Sequence, residues 1–319
     1  MDISIIIINW NTESLLRMCL EHIAKTIKGY EFEVIVIDNG SKDQSVAMVK
    51  SEFSKVILIE NSENRGFARA VNQGIRIAKG SFIVLLNSDA RLEPNAIDVL
   101  VTYMNNNPDA GVCGGQLYHE NLQRQHSFDN YPTLLSELTN KSILRMLFPK
   151  RYPSKKVIFT MPQNVESIIG ACMMVRRKCI DSAGMLDEDF FFFMEETEWC
   201  LRIRKAGYRI VYHPDAKIIH LQGKSANKQP IKSRLEYYNS RYIFFKKVYS
   251  VFSFTVLYSV LFVRCIMEAF FYSLACLFTL CRWEKIVYKC RLAFFLVAAH
   301  LNGFPKSMRI EGQNEIKRK

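Results

Sequence analysis

This chain of 319 residues lacks the signatures of several common classes of nucleotide-binding and metal-binding protein. No G-x-G-x-x-G follows the first apolar run, Ile3–Ile8, and no G-x-x-x-x-G-K-[ST] occurs anywhere, which disfavours dinucleotide-binding and P-loop proteins. The nine cysteines include no C-x-x-C pair, and their number is odd. We therefore expect free thiols in a reducing cytosol rather than a disulfide framework or a zinc site.

The amino terminus also lacks a basic stretch ahead of an apolar signal core, so we expect a protein that is not secreted. Acidic residues are outnumbered: 31 Asp and Glu against 43 Lys and Arg give a formal net charge of +12. This excess predicts an acidic partner, which could be nucleic acid, anionic lipid or a phosphorylated substrate. The length and the 49% hydrophobic content suit one large α/β domain with an appendage.

Apolar runs alternate with helix-length segments through the first third of the chain. The pairs are Ile3–Ile8 with Thr12–Ile27, Glu33–Ile37 with Asp43–Phe53, Val56–Ile59 with Gly66–Lys79, and Phe82–Leu86 with Glu93–Asn106. Four successive units of a strand followed by a helix predict a parallel, doubly wound sheet. The carboxyl ends of its strands then open on one edge, where open α/β folds bind ligands.

Polar residues follow each of the four apolar runs. At the second end, Asp38 can accept hydrogen bonds from a nucleotide base or ribose, although Asp38-Asn39-Gly40 also suits a simple turn. At the third end, Arg65 and the Gly66 turn can meet a diphosphate at a helix amino terminus.

The fourth strand ends in Asn87-Ser88-Asp89, and this end is the most informative. A carboxylate at this edge can hold a divalent metal on a phosphate. The alternative is a turn that caps the following helix.

Three motifs occur in an order that resembles the family 2 inverting glycosyltransferases of the GT-A fold, in particular their bacterial rhamnosyltransferase-like branch. They lie in 36–43, 64–74 and 85–89, and the resemblance covers roughly residues 3 to 225. It implies a Rossmann-like, mostly parallel central sheet, with Asp38 on the base and Asp89 closing a D-x-D motif that carries Mn²⁺ or Mg²⁺. The implied nucleotide-sugar ligands are Asn9, Asn11, Asp38, Asn64, Arg65, Gly66, Asn72, Asn87, Ser88 and Gly170. Asn87 stands where the family often has the first aspartate.

Acidic residues flank an aromatic run between Met185 and Arg202. In glycosyl transfer a sugar hydroxyl must lose its proton as it attacks, and a carboxylate in a partly apolar pocket is a suitable base. The segment resembles the family's E-D-x-D stretch, which implies Glu196 as the base, with Glu195 as the second candidate and Glu198 orienting the acceptor. The alternative is an acidic first turn that only stabilises a helix through its dipole.

Two later residues complete the predicted site. Ser167–Arg176 predicts a strand in which Gly170 lets a sugar approach the backbone, and the alternative is a buried strand with a bulge. His220 follows the apolar pair Ile218-Ile219, and the resemblance implies that it completes the metal shell, since imidazole suits Mn²⁺. The alternative is a structural histidine at a strand end.

Beyond Ser225 the composition becomes basic and aromatic, which suits a membrane interface. The residues concerned are Lys228, Lys232, Arg234, Tyr237, Tyr238, Arg241, Tyr242, Phe244, Phe245, Lys246, Lys247 and Tyr249. No nucleic-acid-binding motif accompanies them, so we expect no nucleic-acid partner.

An almost unbroken apolar stretch, Val248–Leu280, follows and is interrupted only by Arg264 and Glu268, which can pair one turn apart. The two flanking runs are each shorter than the roughly 20 residues of a membrane span, which predicts two helices lying in the leaflet. The alternative is one span with a buried ion pair.

A second basic and apolar patch lies nearer the middle of the chain. It consists of Lys141, Leu144, Arg145, Met146, Leu147, Phe148, Lys150, Arg151, Lys155 and Lys156. It suits an acceptor loop that touches the same membrane, or else a solvated charged loop. The predicted domains are therefore 1–225 catalytic, 226–301 membrane-associating and helical, and 302–319 a polar, disordered tail.

These features predict a metal-dependent inverting glycosyltransferase at the cytoplasmic face of a bacterial inner membrane. It would pass a sugar from a nucleotide-sugar donor to a lipid-linked saccharide acceptor. By resemblance the donor is dTDP-rhamnose and the product a surface polysaccharide such as O-antigen or capsule. The alternatives are another hexosyl- or galactofuranosyltransferase using a UDP-sugar, a nucleotidyltransferase, or a non-catalytic nucleotide-binding membrane protein. The sequence predicts no oligomeric state.

Overall fold

The computed structural model describes residues 1–149, 151–152, 157–221 and 229–305, which form two compact units. The first unit comprises the described parts of Met1–Tyr131 and Ser154–Ser225, and the second those of Pro132–Pro153 and Ala226–Glu311. Segment 132–153 therefore belongs with the C-terminal helices, whereas the predicted domain boundaries placed it in the catalytic domain. Lys150, Lys155, Lys156, Lys228 and residues 306–319 of the predicted tail lie outside the described residues.

In the first unit, strands and helices alternate from the amino terminus, as the apolar runs predict. Numbered in chain order, the strands are β1 Ile3–Asn9, β2 Phe32–Asp38, β3 Ile57–Glu60, β4 Phe82–Asn87, β5 Ala90–Leu92, β6 Ala110–Tyr118, β7 Phe128–Asp129, β8 Gln163–Asn164, β9 Ser167–Ile168, β10 Cys172–Arg176 and β11 Arg209–His220. The helices of this unit are α1 Glu13–Thr26, α2 Ser45–Glu52, α3 Phe67–Ile77, α4 Ala96–Asn106, α7 Arg177–Ala183 and α8 Glu195–Lys205.

The main sheet has nine strands in the order β3-β2-β1-β4-β10-β6-β11-β5, with β8 on β11. Strands β1 to β4 are mutually parallel where they pair, which confirms the predicted parallel half. Strand β10 is antiparallel to β4 and β6. The prediction of one strand over Ser167–Arg176 is wrong: β9 pairs with β7 in a separate small sheet, and a turn at residues 169–171 separates it from β10.

The first strands are apolar on both sides because both faces of the sheet are covered. Ile5, Val36 and Val84 pack in one buried cluster, whereas Ile6 and Leu85, one residue along their strands, pack in the other. This burial is what a parallel sheet in an α/β protein requires. It fixes the strands rigidly, so the polar residues at their ends are held in place.

Strand register brings those polar ends to one edge. Asn9 lies opposite Asp38 in the β1–β2 pair, and Ile8 lies opposite Asn87 in the β1–β4 pair. Because β10 runs antiparallel to β4, its first residue, Cys172, lies opposite Leu86. The turn that precedes β10 therefore reaches the same edge.

The second unit is helical. Its helices are α5 Leu134–Leu138, α6 Lys141–Leu147, α9 Pro230–Val248, α10 Val251–Phe278 and α11 Glu284–Leu301. Helix α10 is continuous through Arg264 and Glu268, so the preferred prediction of two helices over this stretch is wrong. These two residues form an ion pair of 2.9 Å at (i, i+4), an arrangement that stabilises a helix rather than breaking it.

Segment 132–153 is tied to the long helices of this unit by buried polar contacts. Arg241 Nε of α9 lies 3.1 Å from Glu137 Oε2 of α5, and both side chains are less than a tenth exposed. The Tyr249 hydroxyl donates to the Pro132 carbonyl at 2.7 Å. Residues inserted into the sequence of the first unit are thus part of the core of the second.

Candidate active site

Asp38 is held at the carboxyl end of β2 by two hydrogen bonds. Its Oδ1 accepts from Asn9 Nδ2 and its Oδ2 from the Ser41 amide, each at 2.8 Å. An ionised carboxylate has about four lone-pair positions, so Asp38 keeps capacity for a ligand. Asn9 is completely buried and positions Asp38, and its contact with a donor stays a prediction.

Asn39, which the sequence analysis did not single out, joins the loop after β2 to the loop after β3. Its Nδ2 donates to Asn64 Oδ1 at 3.0 Å, and its Oδ1 accepts from the Arg65 amide at 3.2 Å. Asn64 Oδ1 also accepts from the Gly66 amide at 3.0 Å. Asn64 is thereby used by the chain, whereas the side chain of Arg65 remains exposed beside it.

Gly66 is required by the close approach of the aromatic run. Its φ is +86°, and a Cβ added there would lie 2.8 Å from the Phe191 carbonyl oxygen. That oxygen accepts from the Phe67 amide at 2.7 Å, at the start of α3. The Phe67 amide is therefore used by the protein itself to dock the aromatic loop, and the contact of the Gly66 turn with a diphosphate stays a prediction.

Three further predicted donor ligands are bonded within the protein. Asn11 Oδ1 accepts from the Lys42 amide at 2.7 Å, and Ser88 Oγ lies 2.9 Å from Thr12 Oγ1. Asn72 is 2% exposed, and its amide both donates to and accepts from the backbone of Leu186. Asn72 therefore holds the chain at Leu186, ahead of α8, and its contact with a donor stays a prediction.

Asp89 and His220 meet at the edge of the sheet. Asp89 Oδ1 lies 3.3 Å from His220 Nε2, and the side-chain nitrogen Nδ2 of Asn87 lies 3.5 Å from the same ring atom. Pairing of β5 with β11 sets Ala90 opposite His220, and the Leu221 amide donates to the Asp89 carbonyl at 3.0 Å. Both side chains are largely buried, so their positions are fixed by the sheet.

This pair fits a divalent cation. Carboxylate and imidazole donors suit Mn²⁺. Two ligand atoms at a right angle around an ion with bonds of about 2.1 Å lie roughly 3.0 Å apart, close to the 3.3 Å between Asp89 Oδ1 and His220 Nε2. The described residues contain no group of three or more His, Cys, Asp and Glu placed for a metal, so other ligands would come from the donor.

Gln125 supports His220 from behind and was missed by the sequence analysis. Its Oε1 lies 3.1 Å from His220 Nδ1, and its Nε2 lies 2.8 Å from His119 Nδ1 and donates to the His220 carbonyl. It lies in the loop between β6 and β7 and belongs to no recognised motif. The only sequence signal for it is a glutamine between two basic residues, Arg124 and His126, which is too weak to identify a site.

Glu196 lies in the first turn of α8 with an enclosed carboxylate. Its Oε2 is buried and, among the described residues, has no hydrogen-bond partner. Burial raises the pKa of Glu196, hydrogen bonds from the amides of Glu196 and Gly170 lower it less, and the charge of Asp129 adds to the increase. Such a carboxylate is a stronger base than an exposed one, which suits it to take a proton.

One hydrogen bond connects the surroundings of Glu196 to those of Asp89. The backbone amide of Asn87 donates to the Ala171 carbonyl at 3.0 Å, and Ala171 follows Gly170 in the chain. A Cβ added to Gly170 would lie 3.6 Å from Glu196 Oε1. Glu196 therefore faces Gly170, and the adjacent Ala171 bonds to the strand end that carries Asn87, two residues before Asp89.

The other two acidic candidates on α8 are less accessible. Glu198 accepts from Arg202 Nε on both oxygens, at 2.7 and 2.9 Å, and Arg202 also donates to the Met185 carbonyl at 2.8 Å. Trp199 Nε1 donates to the Gly184 carbonyl at 2.8 Å. Glu198 is thus part of a clamp on the preceding loop, and its role in orienting an acceptor stays a prediction. Glu195 is 3% exposed, whereas Glu196 is partly exposed, so Glu196 is the more accessible of the two.

The aromatic loop before α8 is strained. Phe193 and Met194 have φ of +73° and +66°, which costs about 1–3 kcal/mol for each non-glycine residue. Asn72, Gly66 and the Arg202 clamp hold this loop at three points, so the surrounding structure maintains the strain. The loop thereby fixes where the first turn of α8, and with it Glu196, begins.

The chain is similar to known glycosyltransferases. The family model described as glycosyl transferase family 2 matches residues 4–183. An N-acetylglucosaminyl-diphospho-decaprenol L-rhamnosyltransferase of Mycobacterium tuberculosis (strain CDC 1551 / Oshkosh) is 26% identical over 227 residues, covering 66% of this chain and 73% of the relative. A dTDP-rhamnosyl transferase RfbF of Shigella flexneri is 27% identical over 233 residues, covering 71% of each chain.

Solved structures share the GT-A fold. The mannosyltransferase PcManGT from Pyrobaculum calidifontis, in complex with GDP-Man and Mn²⁺, has a TM-score of 0.53 at 16% identity, covering 94% of this chain and 86% of its own. GalNAc-T7 with UDP, GalNAc and Mn²⁺ has a TM-score of 0.55 at 16% identity, covering 75% of this chain and 47% of its own. At these identities the likeness concerns the fold.

Proposed function

Because the chain belongs to glycosyl transferase family 2, we propose that it transfers a sugar from a nucleoside diphosphate donor to a lipid-linked saccharide with inversion at the anomeric carbon. The observation that supports the proposal is that Glu196 faces Gly170, while the adjacent Ala171 bonds to the strand end that leads to Asp89, whose carboxylate lies beside His220. A base and an anion-stabilising site must flank the reacting carbon in a single displacement. This arrangement provides both.

On this proposal the donor lies along the carboxyl edge of the sheet. Asp38, oriented by Asn9, accepts hydrogen bonds from the base, and the exposed guanidinium of Arg65 contacts the diphosphate. Asp89 and His220 would hold the divalent ion, with the Asn87 side chain beside them. When bound, Mn²⁺ or Mg²⁺ would neutralise the charge that develops on the leaving diphosphate.

Glu196 performs the proton transfer. Its Oε2 takes the proton of the acceptor hydroxyl as that oxygen forms a bond to the anomeric carbon, and the bond to the diphosphate oxygen breaks with its electron pair. Burial supports this role because it strengthens the carboxylate as a base and excludes competing water. The Gly170 amide, which bonds to the carboxylate, keeps it directed into the site.

The preferred donor is dTDP-rhamnose, and the preferred product is a surface polysaccharide such as O-antigen or capsule. Support comes from the two relatives named as rhamnosyltransferases, one of which acts on a decaprenol-linked saccharide by its name. The alternative is another hexosyl- or galactofuranosyltransferase that uses a UDP-sugar. A poly-beta-1,6-N-acetyl-D-glucosamine synthase of Staphylococcus aureus (strain COL), 26% identical over 57% of this chain and 41% of its own length, leaves that alternative open.

The second unit is proposed to associate with the cytoplasmic face of a bacterial inner membrane. Among the described residues, α10 is the one helix long and apolar enough to cross a bilayer. Its 28 residues extend about 42 Å at 1.5 Å per residue, against roughly 30 Å of hydrocarbon. The Arg264–Glu268 pair lies near its middle and is exposed, which makes an arrangement in the plane of the interface preferable to a central span.

A donor screen tests the proposal. The full chain in detergent or vesicles is incubated with dTDP-rhamnose, UDP-sugars and GDP-mannose, with and without Mn²⁺, and with a polyprenyl-diphosphate saccharide. We expect metal-dependent release of the nucleoside diphosphate from one donor, increased by the acceptor. Release of pyrophosphate from a nucleoside triphosphate would instead indicate a nucleotidyltransferase. Nucleotide binding without turnover on any donor would indicate a non-catalytic protein.

A further inference from the structure

Gln125 lies behind the Asp89–His220 pair and bonds to His220 through both atoms of its side-chain amide. Taking the proposed function as its basis, we propose that Gln125 is a positioning residue that fixes the tautomer of His220 and so sets the affinity of the site for a divalent cation. The side-chain amide of Gln125 makes three contacts, with the His220 ring, the His220 carbonyl and His119. The chemistry of these neighbours assigns its orientation.

The amide orientation is fixed by a carbonyl group. Gln125 lies within hydrogen-bonding distance of the His220 carbonyl oxygen, which can only accept. The Gln125 atom that faces it must therefore be the donor Nε2, and this leaves Oε1 to face His220 Nδ1 at 3.1 Å. An amide flip would set two acceptors against each other, so the ambiguity between nitrogen and oxygen that usually affects glutamine is resolved here.

The tautomer of His220 follows from this orientation. Because Gln125 Oε1 is an acceptor, His220 Nδ1 must carry its hydrogen. In the neutral ring the lone pair then lies on Nε2, the atom 3.3 Å from Asp89 Oδ1. A lone pair and a carboxylate oxygen facing each other repel, and a cation between them removes the repulsion. The neutral form with hydrogen on Nε2, which would bond to Asp89 and exclude a cation, is disfavoured by Gln125.

Gln125 itself is rigidly held. Gln125 is 8% exposed. Its backbone amide donates to the Leu117 carbonyl at 2.7 Å, and its backbone carbonyl accepts from Gln116 Nε2 at 2.9 Å. Its Nε2 also lies 2.8 Å from His119 Nδ1. Backbone and side chain are therefore both anchored, so the amide does not need to reorganise when a cation binds. Partners of this kind behind a metal ligand typically change metal affinity by about 10–100-fold.

The test uses Gln125→Met, which keeps the length of the side chain but can neither accept from Nδ1 nor donate to the carbonyl. Gln123→Met, an exposed glutamine of the same loop, is the matched control. Mn²⁺ binding is measured by electron paramagnetic resonance with UDP or dTDP present. We expect about tenfold or greater loss of Mn²⁺ affinity in Gln125→Met and none in the control. Nucleotide binding without metal should not change.

Nitrogen-15 chemical shifts of the His220 ring provide a readout independent of activity. At a pH where the ring is neutral and without metal, the wild-type protein should carry its hydrogen on Nδ1, and Gln125→Met should show both tautomers. If Gln125→Met does not fold, the shifts of the wild-type ring still decide the matter, because they report directly which nitrogen carries the hydrogen.

Two results would overturn the proposal: a wild-type His220 with its neutral hydrogen on Nε2, or a folded Gln125→Met with unchanged Mn²⁺ affinity. Failure of the proposed function has a different signature. In that case the wild-type protein would release no nucleoside diphosphate in the donor screen, whichever tautomer His220 adopts.

Discussion

Asp89 Oδ1 and His220 Nε2 lie 3.3 Å apart because β5, which begins one residue after Asp89, pairs antiparallel with the last residues of β11. A short strand of three residues, Ala90–Leu92, thus connects the centre of the sheet edge to the end of its longest strand. The two candidate metal ligands are therefore fixed by backbone pairing rather than by flexible loops. Rigid placement of this kind is what a site for a transferring diphosphate requires.

Removing either member of this pair should abolish metal-dependent transfer. We expect Asp89→Asn and His220→Ala each to lower kcat roughly 100-fold or more, because the charge on the leaving diphosphate would lose its stabilisation. The measurement is nucleoside diphosphate release across a Mn²⁺ titration. Asp215→Asn, which changes an exposed carboxylate on β11, is the control and should behave as wild type. Full Mn²⁺-dependent activity in Asp89→Asn would exclude Asp89 as a ligand.

Glu196→Gln should retain the fold and lose activity. The substitution preserves the shape of the side chain while removing the proton acceptor, and loss of a general base typically costs about 100- to 10,000-fold in rate. Steady-state transfer to a lipid-linked acceptor is the measurement. Glu195→Gln is the comparison, and its effect on kcat should be smaller. A larger loss in Glu195→Gln than in Glu196→Gln would transfer the role of base to Glu195.

The raised pKa of Glu196 makes two pH dependences predictable. Transfer requires the ionised carboxylate, so the acid limb of kcat/KM should lie above the ordinary glutamate value of 4.5. The free energy of unfolding changes with pH in the opposite direction to activity, because the folded state holds the Glu196 proton more tightly than the unfolded state. The contribution of this proton to stability is present below pH 4.5 and is lost as pH rises through the raised pKa. Glu196→Gln should therefore be more stable than wild type at neutral pH, and denaturant titrations at pH 4 and pH 7.5 should show the difference disappearing in acid.

Gly66→Ala should disturb the aromatic loop, and Gly29→Ala is its matched control. Both glycines have positive φ, +86° and +78°, but a Cβ at Gly66 meets the Phe191 carbonyl at 2.8 Å, whereas a Cβ at Gly29 meets nothing within 4 Å. The free energy of unfolding should fall by about 1 kcal/mol in Gly29→Ala, from the left-handed backbone strain alone. It should fall by about 2–4 kcal/mol in Gly66→Ala, which should also lose activity. Thermal unfolding and kcat are the measurements. Equal stability losses in the two variants would contradict the close-contact argument.

The buried pair Arg241–Glu137 should stabilise the second unit. Removing one partner leaves an uncompensated buried charge, so Arg241→Met should cost about 3–5 kcal/mol. The double variant Arg241→Met with Glu137→Leu should recover most of this loss, because neither charge then remains. Denaturant unfolding of the four proteins in the cycle gives the coupling. If the single and double variants are equally unstable, the ion pair is not the source of the effect.

The sequence predicted the edge of the sheet better than the roles of the residues on it. Long apolar runs that end in polar residues located Asp38 and Asp89, because burial on both faces of a parallel strand leaves a clear pattern. The use of Asn72 could not be predicted, since its partner Leu186 lies 114 residues away and only the tertiary fold brings them together. The clamp formed by Glu198 and Arg202 could not be predicted for a similar reason: the bonds of Arg202 to the loop at 183–185 are visible only in the folded chain.

Membrane association of the second unit is tested by the exposed apolar end of α10. Leu277 and Phe278 are 72% and 86% exposed, and burying each in a bilayer should contribute about 1.5–3 kcal/mol. We expect the wild-type protein to float with vesicles containing phosphatidylglycerol, less with neutral vesicles and less at high salt, because the net charge of +12 favours an anionic surface.

Leu277→Glu combined with Phe278→Glu should reduce vesicle binding at least about tenfold. Leu122→Glu, which changes an equally exposed apolar residue of the first unit, should not. Because α9 and α10 also pack with α5, these point variants are a cleaner test than a truncation, which would leave the partner of Arg241 behind. Unchanged flotation of the double variant would show that α10 does not carry the membrane contact.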